Sequence, residues 1–175
     1  MRGVDRIETE RLICERVRAE DADELAALML HPDVVRTTWL APEPPTYADV
    51  VEKADSNARH WERHGFGPWL LRDRATGELV GRAGLQHTLT TGDYEVEVGW
   101  AIMPDRWGEG LATEIACTSV DVAFGPLGLD DVIAFTSPDN VGSWRVMEKA
   151  GFVFDGAFDH FGVPHLLYRR SRASE

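Results

Sequence analysis

The stretch Pro104-Asp-Arg-Trp-Gly-Glu-Gly-Leu-Ala-Thr-Glu114 constrains this chain more than any other. An alternating run, Tyr94, Val96, Val98, Trp100 and Ile102, predicts a strand leading into it. Two glycines follow, and helical spacing opens directly after them. Glycine adopts positive φ without strain and lets backbone approach a ligand closely. The first turn of a helix offers unpaired N–H groups at the positive end of its dipole. Strand, glycine turn and helix start together predict a phosphate-binding site.

Three phosphate-binding patterns compete. A P-loop requires Gly-x-x-x-x-Gly-Lys-Ser/Thr, and no such lysine is present. A dinucleotide fingerprint requires Gly-x-Gly-x-x-Gly. Gly108 and Gly110 fit its first two positions, but Thr113 stands at the third. Asp130 and Asp131 do fall about 20 residues on. The segment lies late in a short chain, however, without room for the paired half of such a fold. The third pattern is a pyrophosphate loop for coenzyme A.

A second motif supports the third pattern. Asn140-Val-Gly-Ser-Trp-Arg-Val-Met-Glu-Lys-Ala-Gly-Phe152 predicts a short helix opened by Asn140 and closed by Gly151. Together with Glu8-Thr-Glu-Arg-Leu-Ile-Cys14, Gly77-Glu-Leu-Val-Gly81 and Glu97-Val-Gly-Trp100, in that order, the chain resembles the GNAT superfamily of N-acetyltransferases. The branch it resembles most contains the ribosomal-protein N-terminal acetyltransferases. The resemblance runs from about Ile7 to Tyr168. It implies one domain over residues 1–175, with a core of about 7–168. It implies an α/β fold of the α+β type: a mixed, mostly antiparallel sheet splayed between the strands at 94–103 and 130–136 and flanked by helices.

Composition narrows the partners. The chain has 175 residues, 43% hydrophobic and 27% charged, which suits one domain with a substantial core. With 18 basic and 30 acidic residues, its formal net charge is −12. That balance argues against nucleic-acid binding, which needs basic patches. It leaves a cationic acceptor open, although a solvated surface accounts for the charges. Cys14 and Cys117 lack Cys-x-x-Cys spacing and lie in apolar segments, so buried free thiols are expected. No apolar leader and no run approaching ~18 residues is present, so no membrane span and a cytoplasmic location are expected.

The rest of the chain reads as alternating elements. Residues 11–18 predict a first strand, and Asp21-x-x-Glu24 resembles a capping box before Ala22, Leu25, Ala26 and Met29. Ala41-Pro-Glu-Pro-Pro45 must be a loop between two helices, the second capped by Thr46 and Asp49. Strands are expected at 68–73 and 79–87, a helix at about 109–124, and two last strands flanking a turn near Gly162.

The resemblance implies acetyl transfer from acetyl-CoA to a primary amine of a protein N-terminus or small molecule, by direct attack without an acyl-enzyme and without a metal. Diphosphate binding then falls to backbone N–H groups from Trp107 to Ala112: Trp107, Gly108, Glu109, Gly110, Leu111 and Ala112, with Thr113 in the same first turn. The family's commonest loop begins with Arg or Gln where this chain has Trp107, and Arg106 is the candidate to supply charge instead. Glu97 shares its strand face with Gly99 and Ala101, beside the implied thioester, as base or as substrate anchor. The backbone of Trp100, Ala101 and Ile102 is implied to contact the thioester oxygen and pantetheine through a bulge permitted by Gly99. Asn140 is implied to contact the pantetheine or to cap its helix. Many members use a tyrosine as acid where this chain has Met147, which makes Ser143 the candidate acid. Arg145 and Lys149 are candidates for the adenosine phosphates. The acceptor pocket is implied to form from the first two helices, their loop and the Gly162 turn, with Trp39 and His87 as substrate-side residues. None of the six histidines shows metal-ligand spacing along the sequence. Dimerisation is common in the family. A catalytically idle acyl-CoA sensor, an aminoglycoside- or polyamine-type acetyltransferase and a nucleotide-dependent oxidoreductase are the other readings.

Overall fold

The computed structural model describes residues 3–39, 41 and 43–173. Leu40 and Pro42 of the proline-rich loop lie outside the described residues. In chain order the strands and helices are β1 (Arg6–Glu8), β2 (Leu12–Arg16), α1 (Ala22–Met29), α2 (Pro32–Thr38), α3 (Tyr47–His64), β3 (Pro68–Asp73), β4 (Leu79–Thr88), β5 (Glu95–Ile102), α4 (Leu111–Phe124), β6 (Asp131–Thr136), α5 (Val141–Lys149), β7 (Val153–His160) and β8 (Val163–Ser171). The strands form one sheet in the order β1-β2-β3-β4-β5-β6-β8-β7. Neighbours are antiparallel except β5 and β6, which run parallel. That parallel ladder contains a single registered pair, Glu97 with Ile133. The fold is thus the mixed α/β sheet, splayed at its centre, that the motifs imply.

Both sheet faces are covered, and β3 shows why its sequence is an unbroken apolar run. Trp69 and Leu71 enter the larger core, with Leu111, Ile115, Ala116 and Val120 of α4. Leu70, on the opposite face, joins Val17, Leu25, Val50 and Ala54 beneath α1 and α3. A strand buried on both sides has no polar face to alternate. Arg82 and Ala101 lie in register beside Leu70, so the α1/α3 face continues across β4 onto β5.

The Thr9-Glu-Arg-Leu12 run acquires a physical role. Glu114, in the first turn of α4, accepts from the Thr9 hydroxyl at 2.5 Å, the Arg11 N–H at 2.9 Å and the Arg11 guanidinium at 2.7 Å. Arg11 also donates to the Glu109 carbonyl at 2.8 Å. The β1–β2 turn therefore fastens the glycine loop and α4 from below.

Several expectations need correction. β1 and α2 were not expected. α2 is only seven residues with Val34 alone buried, so it has little apolar period; Pro32 at its first turn and the His31 cap are its signals. The Asp21/Glu24 capping box does not form: Asp21 accepts from the Arg18 N–H at 2.7 Å, and Glu24 is held by Arg72 at 2.7 and 2.8 Å. The Thr46/Asp49 box is present. No bulge interrupts β5 against β4, because the register is continuous from Gly81–Ile102 to Thr88–Glu95. Gly99 is small for another reason: a Cβ there would lie 3.3 Å from Glu97 Oε1. Cys14 is a buried free thiol, pushed up to about 12 chiefly by burial, while Cys117 is free and half-buried. Among the described residues, no helix is long and apolar enough to cross a membrane.

Burial pushes the Glu114 carboxyl up, but the donors from Thr9 and Arg11 outweigh it and hold the group below its ordinary value. Its contribution is therefore present above the ordinary carboxylate range and lost as pH falls through the lowered value. Arg11→Met is expected to cost about 1–2 kcal/mol, since Arg11 is partly exposed, and to shrink the acid-dependent part of the stability. Thermal unfolding of both proteins from neutral to acid pH measures this; equal pH profiles would refute it.

Candidate active site

Two cavities open beside the splay. One, of about 730 Å³, runs along the glycine loop and the start of α5. The other, of about 510 Å³, lies between α3 and the β4–β5 face. Thr37, Thr38, Trp100, Ala101 and Ser143 line both. The cavities thus meet where β5 leaves β6 and α5 begins.

The first cavity has the donor character the sequence suggests. Gly108 and Gly110 have φ of 80° and 82°, the left-handed region that suits glycine. The Trp107 N–H is used internally, donating to the Pro104 carbonyl at 3.2 Å. Among the described residues, the N–H groups of Gly108, Glu109, Gly110, Leu111, Ala112 and Thr113 donate to no protein acceptor. The free donors therefore begin one residue later than expected. They lie at the positive end of the α4 dipole, an arrangement that fits a diphosphate. The Trp107 indole donates to the Ile102 carbonyl at 2.8 Å and bolts the loop to the strand end. Arg106 is not a free charge. It is held by Asp73 at 2.9 Å and by Glu109 at 3.0 and 3.1 Å, and these carboxylates raise its pKa. Its place is a brace between the β3–β4 turn and the loop.

Backbone polarity on β5 follows from its pairing. The Met103 N–H donates to the Val80 carbonyl at 2.8 Å. Antiparallel ladders alternate, so the amides of Glu97, Gly99 and Ala101 face β4, and those of Val98, Trp100 and Ile102 face β6. Past Glu97 no β6 residue is in register. Trp100 and Ile102 therefore present N–H groups to the gap, while the Ala101 N–H does not. The splay, not a bulge, frees them.

The second cavity joins Glu97 to groups the sequence did not single out. Glu97 accepts from Gln86 Nε2 at 3.2 Å. Burial raises its carboxyl pKa, opposed by Gln86, Lys53 and Arg82. Arg82 donates to Asn57 Oδ1 at 3.3 Å and Gln86 Oε1 at 3.1 Å. Lys53 is pushed down to about 8, mainly by burial and then by Arg82. Trp39 caps α2 and lines this cavity, its indole donating to the Glu43 carbonyl at 2.5 Å. His87 also lines it. The Gly162 turn does not; Thr88 at the end of β4 and Leu89 and Thr90 just after it take that place.

On α5, Asn140 Oδ1 caps the helix by accepting from the Ser143 N–H at 3.3 Å, and its Nδ2 donates to the Thr37 carbonyl at 3.3 Å. Both polar ends are thus in use, tying α5 to α2. Ser143 lines both cavities. Met147 is buried just beyond it. Arg145 and Lys149 line the loop-side cavity. The histidines also differ from expectation. His60 and His64 are one turn apart on α3, and one ring nitrogen from each lies within 4.8 Å of the others and of one from His87.

Residues 11–153 match the family described as Acetyltransferase (GNAT) domain. The chain belongs to the GNAT acetyltransferase family. The uncharacterized N-acetyltransferase YoaA of Bacillus subtilis is 30% identical over 168 residues, covering 91% of each protein. A crystal structure of an acetyltransferase from Agrobacterium tumefaciens superposes with TM-score 0.82 at 24% identity, covering 97% of this chain and 95% of that one. The aminoglycoside acetyltransferase AAC(6′)-Ib in complex with coenzyme A superposes with TM-score 0.72 at 21% identity, over 92% and 95% of the chains.

In this GNAT chain the missed residues had a faint signal. Arg82, Gly84 and Gln86 alternate along β4 as Glu97, Gly99 and Ala101 do along β5, which puts them on one face once the hairpin is assumed. Lys53 and Asn57 stand four apart on α3 and read as ordinary helix-surface residues until the sheet covers them. Gly110→Ala forces a side chain into positive φ at a cost of about 1–2 kcal/mol. The expected result is lower stability together with weaker coenzyme A binding by calorimetry; unchanged affinity would show that the loop does not hold the ligand.

Proposed function

We propose that this GNAT protein transfers the acetyl group of acetyl-CoA to a primary amine by direct attack. The acceptor is the amine of a small molecule or of a protein N-terminus, as in the ribosomal-protein branch whose motifs the chain resembles. The observation that carries this reading is the meeting of the two cavities at Trp100, Ala101 and Ser143, with free amides on one side and Glu97 on the other. Two reactants entering from opposite sides are held together, which converts an encounter into a positioned reaction.

Each chemical need has a residue beside it. Alkyl amines sit near pKa ~10 and must lose a proton. A carboxylate with raised pKa, such as Glu97, accepts that proton more readily than an ordinary one. Negative charge develops on the thioester oxygen, and the N–H groups of Trp100 and Ile102 face the gap where it would lie. The departing thiolate needs a proton, and the Ser143 hydroxyl lines the junction. The loop amides and the α4 N-terminus hold the diphosphate. Acetyl-CoA supplies the activated acyl group; the chain supplies position, donors and the base.

Free-thiol release from acetyl-CoA over a panel of amines tests the reading. Glu97→Gln is expected to lower turnover about 10²–10⁴-fold with coenzyme A affinity retained. Because the base must be deprotonated, wild-type kcat/KM should rise with pH through the raised Glu97 value, and that limb should vanish in the variant. Ser143→Ala is expected to slow turnover without altering the limb. Undiminished turnover in E97Q would remove Glu97 as base.

A further inference from the structure

The acceptor-side cavity holds a charge imbalance that its own side chains leave unresolved. Arg82 and Lys53 both line it. Among the described residues, neither has a carboxylate oxygen within 4.0 Å. Glu97, the one carboxylate in the cavity wall, accepts instead from the neutral Gln86 amide at 3.2 Å. Arg82 leans on two amide oxygens, those of Asn57 and Gln86. Its Nε and the Asn57 Nδ2 have no partner, although both are closed off from solvent. Arg72, Arg106 and Arg169 each meet a carboxylate at 2.6–2.9 Å. Arg82 differs from them at the place where an acceptor has to sit.

We infer that the acceptor is an amine that carries an anionic oxygen group, carboxylate or phosphate, close to its amino group. This inference rests on the acetyl-transfer reading and names the acceptor class within it. Arg82 and Lys53 answer to the anionic oxygens, and Glu97 to the amine. The cavity is thereby complementary to a zwitterion. It is ill suited to a polycation such as an aminoglycoside, which would meet two like charges. The chain's net charge of −12 lies elsewhere and does not set the sign of this cavity.

The test separates this inference from its premise. Calorimetric titration of the coenzyme A-loaded protein with inorganic phosphate, the loop cavity being filled, should show saturable binding. Arg82→Gln and Lys53→Met should each weaken it about tenfold or more, and Arg82→Lys less, with circular dichroism confirming that all three fold. No saturable binding, or equal binding by wild type and both neutral variants, overturns the inference whether or not acetyl transfer occurs. Paired amines supply the second arm: amino acids against their decarboxylated counterparts in the thiol-release assay. The carboxylated member should be favoured at least tenfold in kcat/KM, and R82Q should abolish the preference. Equal rates, or preference for the decarboxylated member, overturn the inference while leaving acetyl transfer intact. Failure of coenzyme A to bind sinks the acetyl-transfer reading instead, and the phosphate titration of the free protein then decides the anion site.

Discussion

β5 and β6 are each claimed by a different neighbour. β5 pairs with β4 along its whole length, and β6 pairs with β8 from Asp131–Ser171 to Thr136–Leu166. Between them only Glu97 and Ile133 stay in register. The sheet therefore opens a wedge at its centre. Backbone groups that would have closed a ladder are left facing the wedge, and unpaired backbone polar groups need partners. The site exists because this one parallel pairing is incomplete.

The surrounding elements hold that opening at a fixed width. Glu114 ties α4 to the Thr9–Arg11 turn, Trp107 pins the loop to the end of β5, and Asn140 links α5 to α2. Arg106 is consumed in the same framework by Asp73 and Glu109. On the proposed reading, a phosphate at the loop would be held by backbone amides and the helix dipole, not by a nearby arginine. The direction of those donors is set by the two positive-φ glycines.

On the other side of the wedge, side chains dominate. Lys53, Asn57, Arg82, Gln86 and Glu97 come from α3, β4 and β5 and line one cavity. A chain of formal net charge −12 thus encloses a pocket in which two cationic side chains face one carboxylate.

Much of the framework could be read from local pattern. The strands at 68–73 and 94–103, the Thr46/Asp49 cap, the α4 start after Gly110 and the Asn140 helix are short-range features of propensity, capping and period, and these the sequence alone determined. It also placed Glu97 on the face with Gly99 and Ala101, since strand alternation is local. α2 escaped because a seven-residue helix burying only Val34 leaves almost no period to read. Tertiary structure alone decided that Arg82 and Lys53 share a cavity with Glu97, that Arg106 is spent on Asp73, and that His87 joins His60 and His64. Those outcomes depend on which strands become neighbours and where the sheet parts. Such distances belong to no single segment, so no periodicity within one can encode them.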